Sequence, residues 1–284
     1  MKAIDVHAHL PTKEYIVEAG GKLMAAAVKY FHHENVIKTI DEMIDEYKSC
    51  NVEHAVLLGW NAETGTGYKP VKNELIAKIV RDYADFFIGF ASVDPWKGKK
   101  ALEEIKRAIN KLELRGLKFH QIAQRFYPND KRFDKLWKLC VELNVPVIFH
   151  VGTTGLGAGL DGGGGLQLDY ARPIPYIDNV SAKYPELRIL CAHPGFPWEK
   201  ELLALCLQKN NVYMDLSGYL PKYIAPEVIR YANTVLKDKV MFGTDYPFIT
   251  PQRWLESFNT LDIKEESREK ILYKNARKFL FDTV

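Results

Sequence analysis

Eight short apolar runs rich in Val, Ile and Leu alternate with eight longer amphipathic stretches, and this alternation restricts the fold more than any other feature of the chain. Apolar runs without inside–outside alternation are strands buried on both faces. Such strands pair in parallel and need a crossover, usually a helix, between neighbours. The strand-like runs are Ala3–His7, Ala55–Gly59, Phe86–Ala91, Gly116–His120, Pro146–Val151, Leu187–His193, Val212–Leu216 and Val240–Asp245. The helix-like stretches are Val36–Lys48, Asn73–Tyr83, Lys99–Leu112, Asp134–Glu142, Ile174–Lys183, Glu199–Gln208, Ala225–Leu236 and Glu265–Phe281. Eight β-α units in 284 residues predict an α/β chain folded as one (β/α)8 TIM barrel over residues 1–284, with loops of uneven length at its mouth. A doubly wound open sheet is the competing architecture. It normally carries a glycine fingerprint after the first strand, where this chain has His-Ala-His.

Charge and cysteine usage narrow the class of function. With 39 basic and 36 acidic side chains the formal charge is only +3, which gives no footing for a nucleic-acid or membrane partner. No apolar run approaches the ~20 residues that span a bilayer, and the opening MKAIDVHAHL lacks the apolar centre of a secretory signal. Cys50, Cys140, Cys191 and Cys206 lie far apart, so neither a disulfide framework nor a zinc knuckle is expected. The expectation is a reduced, cytoplasmic protein acting on a small molecule.

The chemistry concentrates where strands end. His7 and His9 lie two apart on the first strand, so alternation sends both imidazoles to the same side, and two such rings suit a divalent ion. The pattern then recurs: PVIFH ends on His150, RILCAH on His193 and VMFGTD on Asp245, each just before a loop containing Gly or Pro. A buried strand has no packing reason to finish on an imidazole or carboxylate. One such residue is ordinarily a satisfied strand end, whereas five converging on one mouth describe a site.

In this order the motifs resemble the amidohydrolase superfamily, and within it the amidohydrolase-2 group of metal-dependent hydrolases and aminocarboxymuconate-semialdehyde decarboxylase-like enzymes. The resemblance runs from His7 to the region of Asn275–Arg277. It implies His7, His9, His150 and Asp245 as ligands of one divalent metal, zinc by preference and manganese otherwise, with His193 as a catalytic histidine beside it. Asp245 would then also handle the proton of the reaction. It also suggests a homodimer.

Lys118 and His120 end the run GLKFH, two apart and so on one face. In other branches of the superfamily a carboxylated lysine on this strand bridges two metals. The group resembled here holds one, so contact with substrate is the reading for Lys118 and His120; a lysine neutralising nearby carboxylates is the plainer alternative. Arg125 and Arg172 follow strands four and five, where a guanidinium can grip a substrate carboxylate, or equally form an ordinary ion pair. Asp215 in MDLSG is a strand-end carboxylate that can simply cap the next segment. His32, His33 and His54 read as structural or surface residues, and Trp60, Tyr68, Phe126, Tyr127 and Trp198 as pocket or packing aromatics. Gly152–Gly165 lacks the ending of a phosphate loop, and its departure from the strand bearing His150 marks it as a flap over the mouth.

Three functions fit these residues. The first is hydrolysis, with metal-activated water attacking an ester, lactone or amide carbonyl. The second is nonoxidative decarboxylation of an unsaturated or aromatic carboxylate, and the third a barrel that binds metal or metabolite without turnover. The chain is short for decarboxylases of the group, which favours hydrolysis.

Overall fold

The structure, a computed structural model, describes residues 1–33 and 36–281. Eight strands appear: β1 (Ala3–Ala8), β2 (Val52–Leu58), β3 (Phe87–Phe90), β4 (Leu117–Phe119), β5 (Val147–His150), β6 (Ile189–Ala192), β7 (Val212–Asp215) and β8 (Val240–Met241). They pair in sequence order and in parallel, as a three-stranded and a five-stranded section. Main-chain hydrogen bonds join the sections at both seams. Ala91 N–H donates to Gly116 O and Lys118 N–H to Ala91 O, each at 2.8 Å, between β3 and β4. Val6 N–H donates to Phe242 O (3.0 Å), Asp245 N–H to His7 O (2.9 Å) and His9 N–H to Tyr246 O (2.8 Å), closing β8 on β1. The result is a closed (β/α)8 barrel, which leaves no free sheet edge.

A buried layer of Ile4, Val6, Val56, Leu58, Ile88, Phe90, Ile148, Leu190 and Met241 fills the lower barrel. The last helix, Asn275–Phe281, brings Ala276 and Phe279 to that layer and closes the floor, where Arg188 donates to Phe279 O at 2.6 Å. Polar side chains are thereby confined to the opposite, C-terminal ends of the strands.

The helices Asp134–Glu142 and Glu199–Gln208 have the expected bounds. The first expected helix is shorter, Ile40–Ser49, because Thr39 and Glu42 form a reciprocal N-terminal cap that starts it four residues late. Two longer helices were not expected, Gly21–Tyr30 in the long excursion after β1 and Pro251–Asn259 after β8, nor were the single turns Glu63–Thr66 and Gln121–Gln124. All lie in loops whose length the strand spacing shows but whose content it does not. Among the described residues no helix is long and apolar enough to cross a membrane, and the four cysteines are unpaired.

One buried carboxylate fastens the β8–β1 seam. Asp5 has no exposed surface and accepts from His7 N–H (2.8 Å), Thr244 N–H (3.1 Å), Thr244 Oγ1–H (2.5 Å) and Tyr47 Oη–H (2.8 Å). The register of β1 on β2 shifts between Asp5 and Ala8, which turns the chain so that His7 N–H reaches the carboxylate. Asp5→Ala orphans these donors, and urea denaturation is expected to show a loss of about 3 kcal/mol, against about 1 kcal/mol for Tyr47→Phe. An Asp5→Ala loss no larger than that of Tyr47→Phe contradicts this role.

Candidate metal centre

The residues singled out at strand exits do meet. His7, His9 and Asp245 offer ligand atoms that all lie within 4.8 Å of one another, as do His7, His193 and Asp215. The His7 and His9 Nε2 atoms each stand 3.4 Å from Asp245 Oδ1. His193 and Asp245 both adopt left-handed backbone, φ 76° and 66°, which costs a non-glycine residue about 1–2 kcal/mol. Such turns aim side chains back over the barrel mouth, and the fold tolerates the strain at these two positions.

Around this trio the polar groups form layers. His193 Nε2 lies 3.1 Å from His150 Nδ1, and the His150 ring stacks on His120 with centroids 4.0 Å apart. His120 accepts at Nδ1 from Ala123 N–H (3.2 Å) and its Nε2 sits 3.3 Å from Thr154 Oγ1. Beneath them Asp215 Oδ1 accepts from His193 N–H and Ser217 N–H, both at 2.9 Å, and from Ser217 Oγ–H at 2.5 Å. Asp215 Oδ2 lies 3.2 Å from His7 Nδ1. His9 is held by packing instead: Tyr15 stacks on it at 4.8 Å and Trp60 meets it edge-on at 6.4 Å.

Burial dictates the charge states. It lowers the pKa of His7, His9, His120, His150 and His193, which favours the neutral form in which imidazole ligates metal. Burial alone would raise Asp245, but the hydrogen bond to His9 and the positive charge that His7 and His193 take on in acid outweigh it and hold the carboxyl well below its usual range. Desolvation drops Lys118 to about 8, against the pull of Asp215 and Asp245. Its Nζ is 3.4 Å from His7 Nε2, and none of the described carboxylates pairs with it. Two neutral imidazoles and a carboxylate, converging and desolvated, are a donor set that fits a divalent ion of the zinc or manganese kind. His9 Nδ1 is buried with no hydrogen-bond partner.

Two of the expected residues stand apart from the trio. His150, expected as a fourth ligand, is not brought into the trio, because its Nε2 donates to Thr153 O at 2.9 Å and its Nδ1 faces His193. Arg172, expected on substrate, is taken up by Glu201, with Nε and Nη2 contacts of 3.0, 3.1 and 2.6 Å. Arg125 lies exposed after β4, also in left-handed backbone, with no ion pair to a described carboxylate. His32 is exposed, His54 packs against Phe281, and His33 lies against Phe248, near enough for Asp245 to act on it; Phe126 packs in the core against Phe119 and Phe133. The glycine-rich segment after β5 does lie over the mouth: Gly157 N–H donates to Leu23 O at 3.0 Å, docking it on the helix of the β1 excursion. Reasoning from the sequence missed Ser217, Asp5 and Tyr15. Asp215 ends an apolar strand just as His150 and His193 do, so the same rule, applied evenly, would have found it.

Comparisons with known proteins agree with this architecture. The amidohydrolase family, of the amidohydrolase-2 type, matches residues 4–281. The decarboxylase OrsB of Emericella nidulans is 23% identical over 253 residues, covering 73% of this chain and 74% of that one. An uncharacterised TIM-barrel protein of Bordetella bronchiseptica superposes with a TM-score of 0.84 at 24% identity, covering 99% and 98% of the two chains. The 5-carboxyvanillate decarboxylase of Novosphingobium aromaticivorans, crystallised with manganese and 4-hydroxy-3-methoxy-5-nitrobenzoic acid, superposes with a TM-score of 0.74 at 18% identity over 98% and 96%.

Two outcomes follow from the geometry. Asp245→Asn is expected to weaken divalent-metal affinity by about 100-fold or more, measured by competition with a chelating dye; unchanged affinity places the ion elsewhere. In the metal-free protein the five buried rings have pKa values below the ordinary 6.5. The unfolded chain therefore binds more protons below that pH, and stability present above 6.5 drains away as pH falls. Urea midpoints that stay level from pH 7.5 down to about 5 contradict this account of the buried rings.

Proposed function

Because the chain belongs to the amidohydrolase family, we propose that it is a metal-dependent enzyme that removes carbon dioxide from a small aromatic or unsaturated carboxylate. The observation that carries this reading is Lys118, a buried ammonium without a carboxylate partner among the described residues, set beside a metal-competent trio. A buried cation left uncompensated is costly, and a substrate carboxylate supplies the missing charge. Hydrolysis, favoured by chain length alone, has no such feature behind it. The two relatives of named activity, OrsB and the 5-carboxyvanillate enzyme, are decarboxylases as well.

His7, His9 and Asp245 would hold the ion, zinc or manganese, and it would supply positive charge at the oxygens of the bound substrate. Lys118 and His120 face the same space and orient the carboxylate, with Arg125 at the rim as a further anion contact. Decarboxylation needs one proton delivered to the carbon that bears the carboxylate. His193 Nε2, once protonated, delivers it, and its lowered pKa makes it a willing donor. The carbon–carbon bond then breaks, its electron pair returns to the substrate's π system, and carbon dioxide leaves. The sum is RCOO⁻ plus H⁺ giving RH and CO2, and solvent reprotonates His193.

The test is CO2 release from carboxyl-labelled hydroxybenzoates by manganese-loaded protein. His193→Asn is expected to lower kcat by about 10²- to 10⁴-fold while metal content is unchanged. Turnover of esters or lactones without CO2 release overturns the reading in favour of hydrolysis. Binding of metal and carboxylates with no turnover makes the barrel a binder only.

A further inference from the structure

Ser217 sits in the turn after β7, fully buried, and its hydroxyl touches three groups of the centre at once. Ser217 Oγ is 2.5 Å from Asp215 Oδ1, 3.0 Å from His7 Nδ1 and 2.9 Å from His193 Nδ1. We propose that Ser217 is a positioning residue: its hydroxyl holds the ring rotation of both His7 and His193 and reinforces N–H at Nδ1 in each. The proposal rests on the roles given above to those two histidines.

The assignment comes from counting protons. A serine hydroxyl has one hydrogen to give and two lone pairs to accept with. An ionised carboxylate only accepts, so an O···O separation of 2.5 Å to Asp215 holds the serine hydrogen. Both lone pairs of Oγ then face imidazole nitrogens, each of which must bring its own hydrogen. An independent pair of neighbours demands the same. His7 Nδ1 is 3.2 Å from Asp215 Oδ2, and His193 Nδ1 is 3.1 Å from the carbonyl oxygen of Ser217, both groups that accept only. Four contacts, two to each ring, therefore call for N–H at Nδ1; on the far side of His193, Nε2 meets His150 Nδ1 at 3.1 Å while His150 gives its Nε2–H to Thr153 O, so one further proton lies between those two nitrogens. Nε2 of His7 is left as an acceptor facing Lys118 and Asp245, where the metal would sit, and Nε2 of His193 as the nitrogen that shares a proton with His150.

The local backbone is built to admit this hydroxyl. A Cβ at Gly218 would stand 2.7 Å from His193 Nδ1, and one at Gly243 would stand 3.0 Å from Ser217 Cβ and 3.1 Å from His7 Cβ. Side chains at either position would push apart the rings and the serine that links them. One oxygen atom thus couples the histidine that would bind the ion to the histidine that would move the proton.

Long-range ¹H–¹⁵N spectra of histidine-labelled, metal-free protein at pH 8 read the tautomers directly, with His7→Asn and His193→Asn assigning the two rings. Both are expected to carry Nδ1–H in the wild type; an Nδ1 without its hydrogen on either overturns the proposal. This readout needs no metal and no substrate, so it stands even if the decarboxylase reading fails. In Ser217→Ala both rings are expected to keep Nδ1–H, held by Asp215 Oδ2 and the backbone carbonyl of residue 217, while metal affinity falls about 10- to 100-fold and kcat falls with KM little changed. Wild-type metal affinity in Ser217→Ala reduces the serine to packing and refutes the claim. If Ser217→Ala fails to fold, Ser217→Cys, whose thiol is the weaker hydrogen-bond partner, is expected to show the same loss of metal affinity, and wild-type affinity there refutes the claim equally.

Discussion

Asp215 has no contact with water, and the polar groups at the barrel mouth are arranged around what it accepts. Its two oxygens take up the main chain of β6 at His193, the turn after β7 at Ser217 and the imidazole of His7 on β1. A buried carboxylate survives only when its lone pairs are filled, so this saturation pins three strands in mutual register. Asp5 does the same for β1, β8 and the helix Ile40–Ser49. Between these two anchors His7 has little freedom. The candidate metal trio is therefore set in place by carboxylates beneath it and not by the loops above.

Desolvation does the remaining work. It disfavours charge on the five rings and lowers Lys118 to about 8, while Asp245 stays the ionised group of the trio. Lys118 lies beside the metal-competent corner, its Nζ 3.4 Å from His7 Nε2, with His193 close to both His7 and His150.

Much of this was legible in the chain. Alternating apolar runs with HxH, PVIFH, RILCAH and VMFGTD at their ends announce both a barrel and the end of it that carries the chemistry, because period and polarity are local properties. What was not legible is relational. Arg172 finds Glu201 through a 29-residue separation, and His150 turns to the Thr153 carbonyl by a choice of rotamer. Ser217 looks like any small residue in a turn until three partners converge on its oxygen. The helix Gly21–Tyr30 escaped because its length lies inside an excursion that the strand rhythm marks only as a gap. The lean toward hydrolysis rested on chain length, which reports on loops and says nothing of the charges gathered at the barrel mouth; the named relatives favour the alternative reading, decarboxylation.

Anomalous diffraction from crystals grown with manganese tests the central claim most directly. The account predicts one strong peak between His7 Nε2, His9 Nε2 and Asp245 Oδ1, with His193 Nε2 facing but not ligating it. A peak seated instead between His193 and Asp215, or a second one against Lys118, would contradict it.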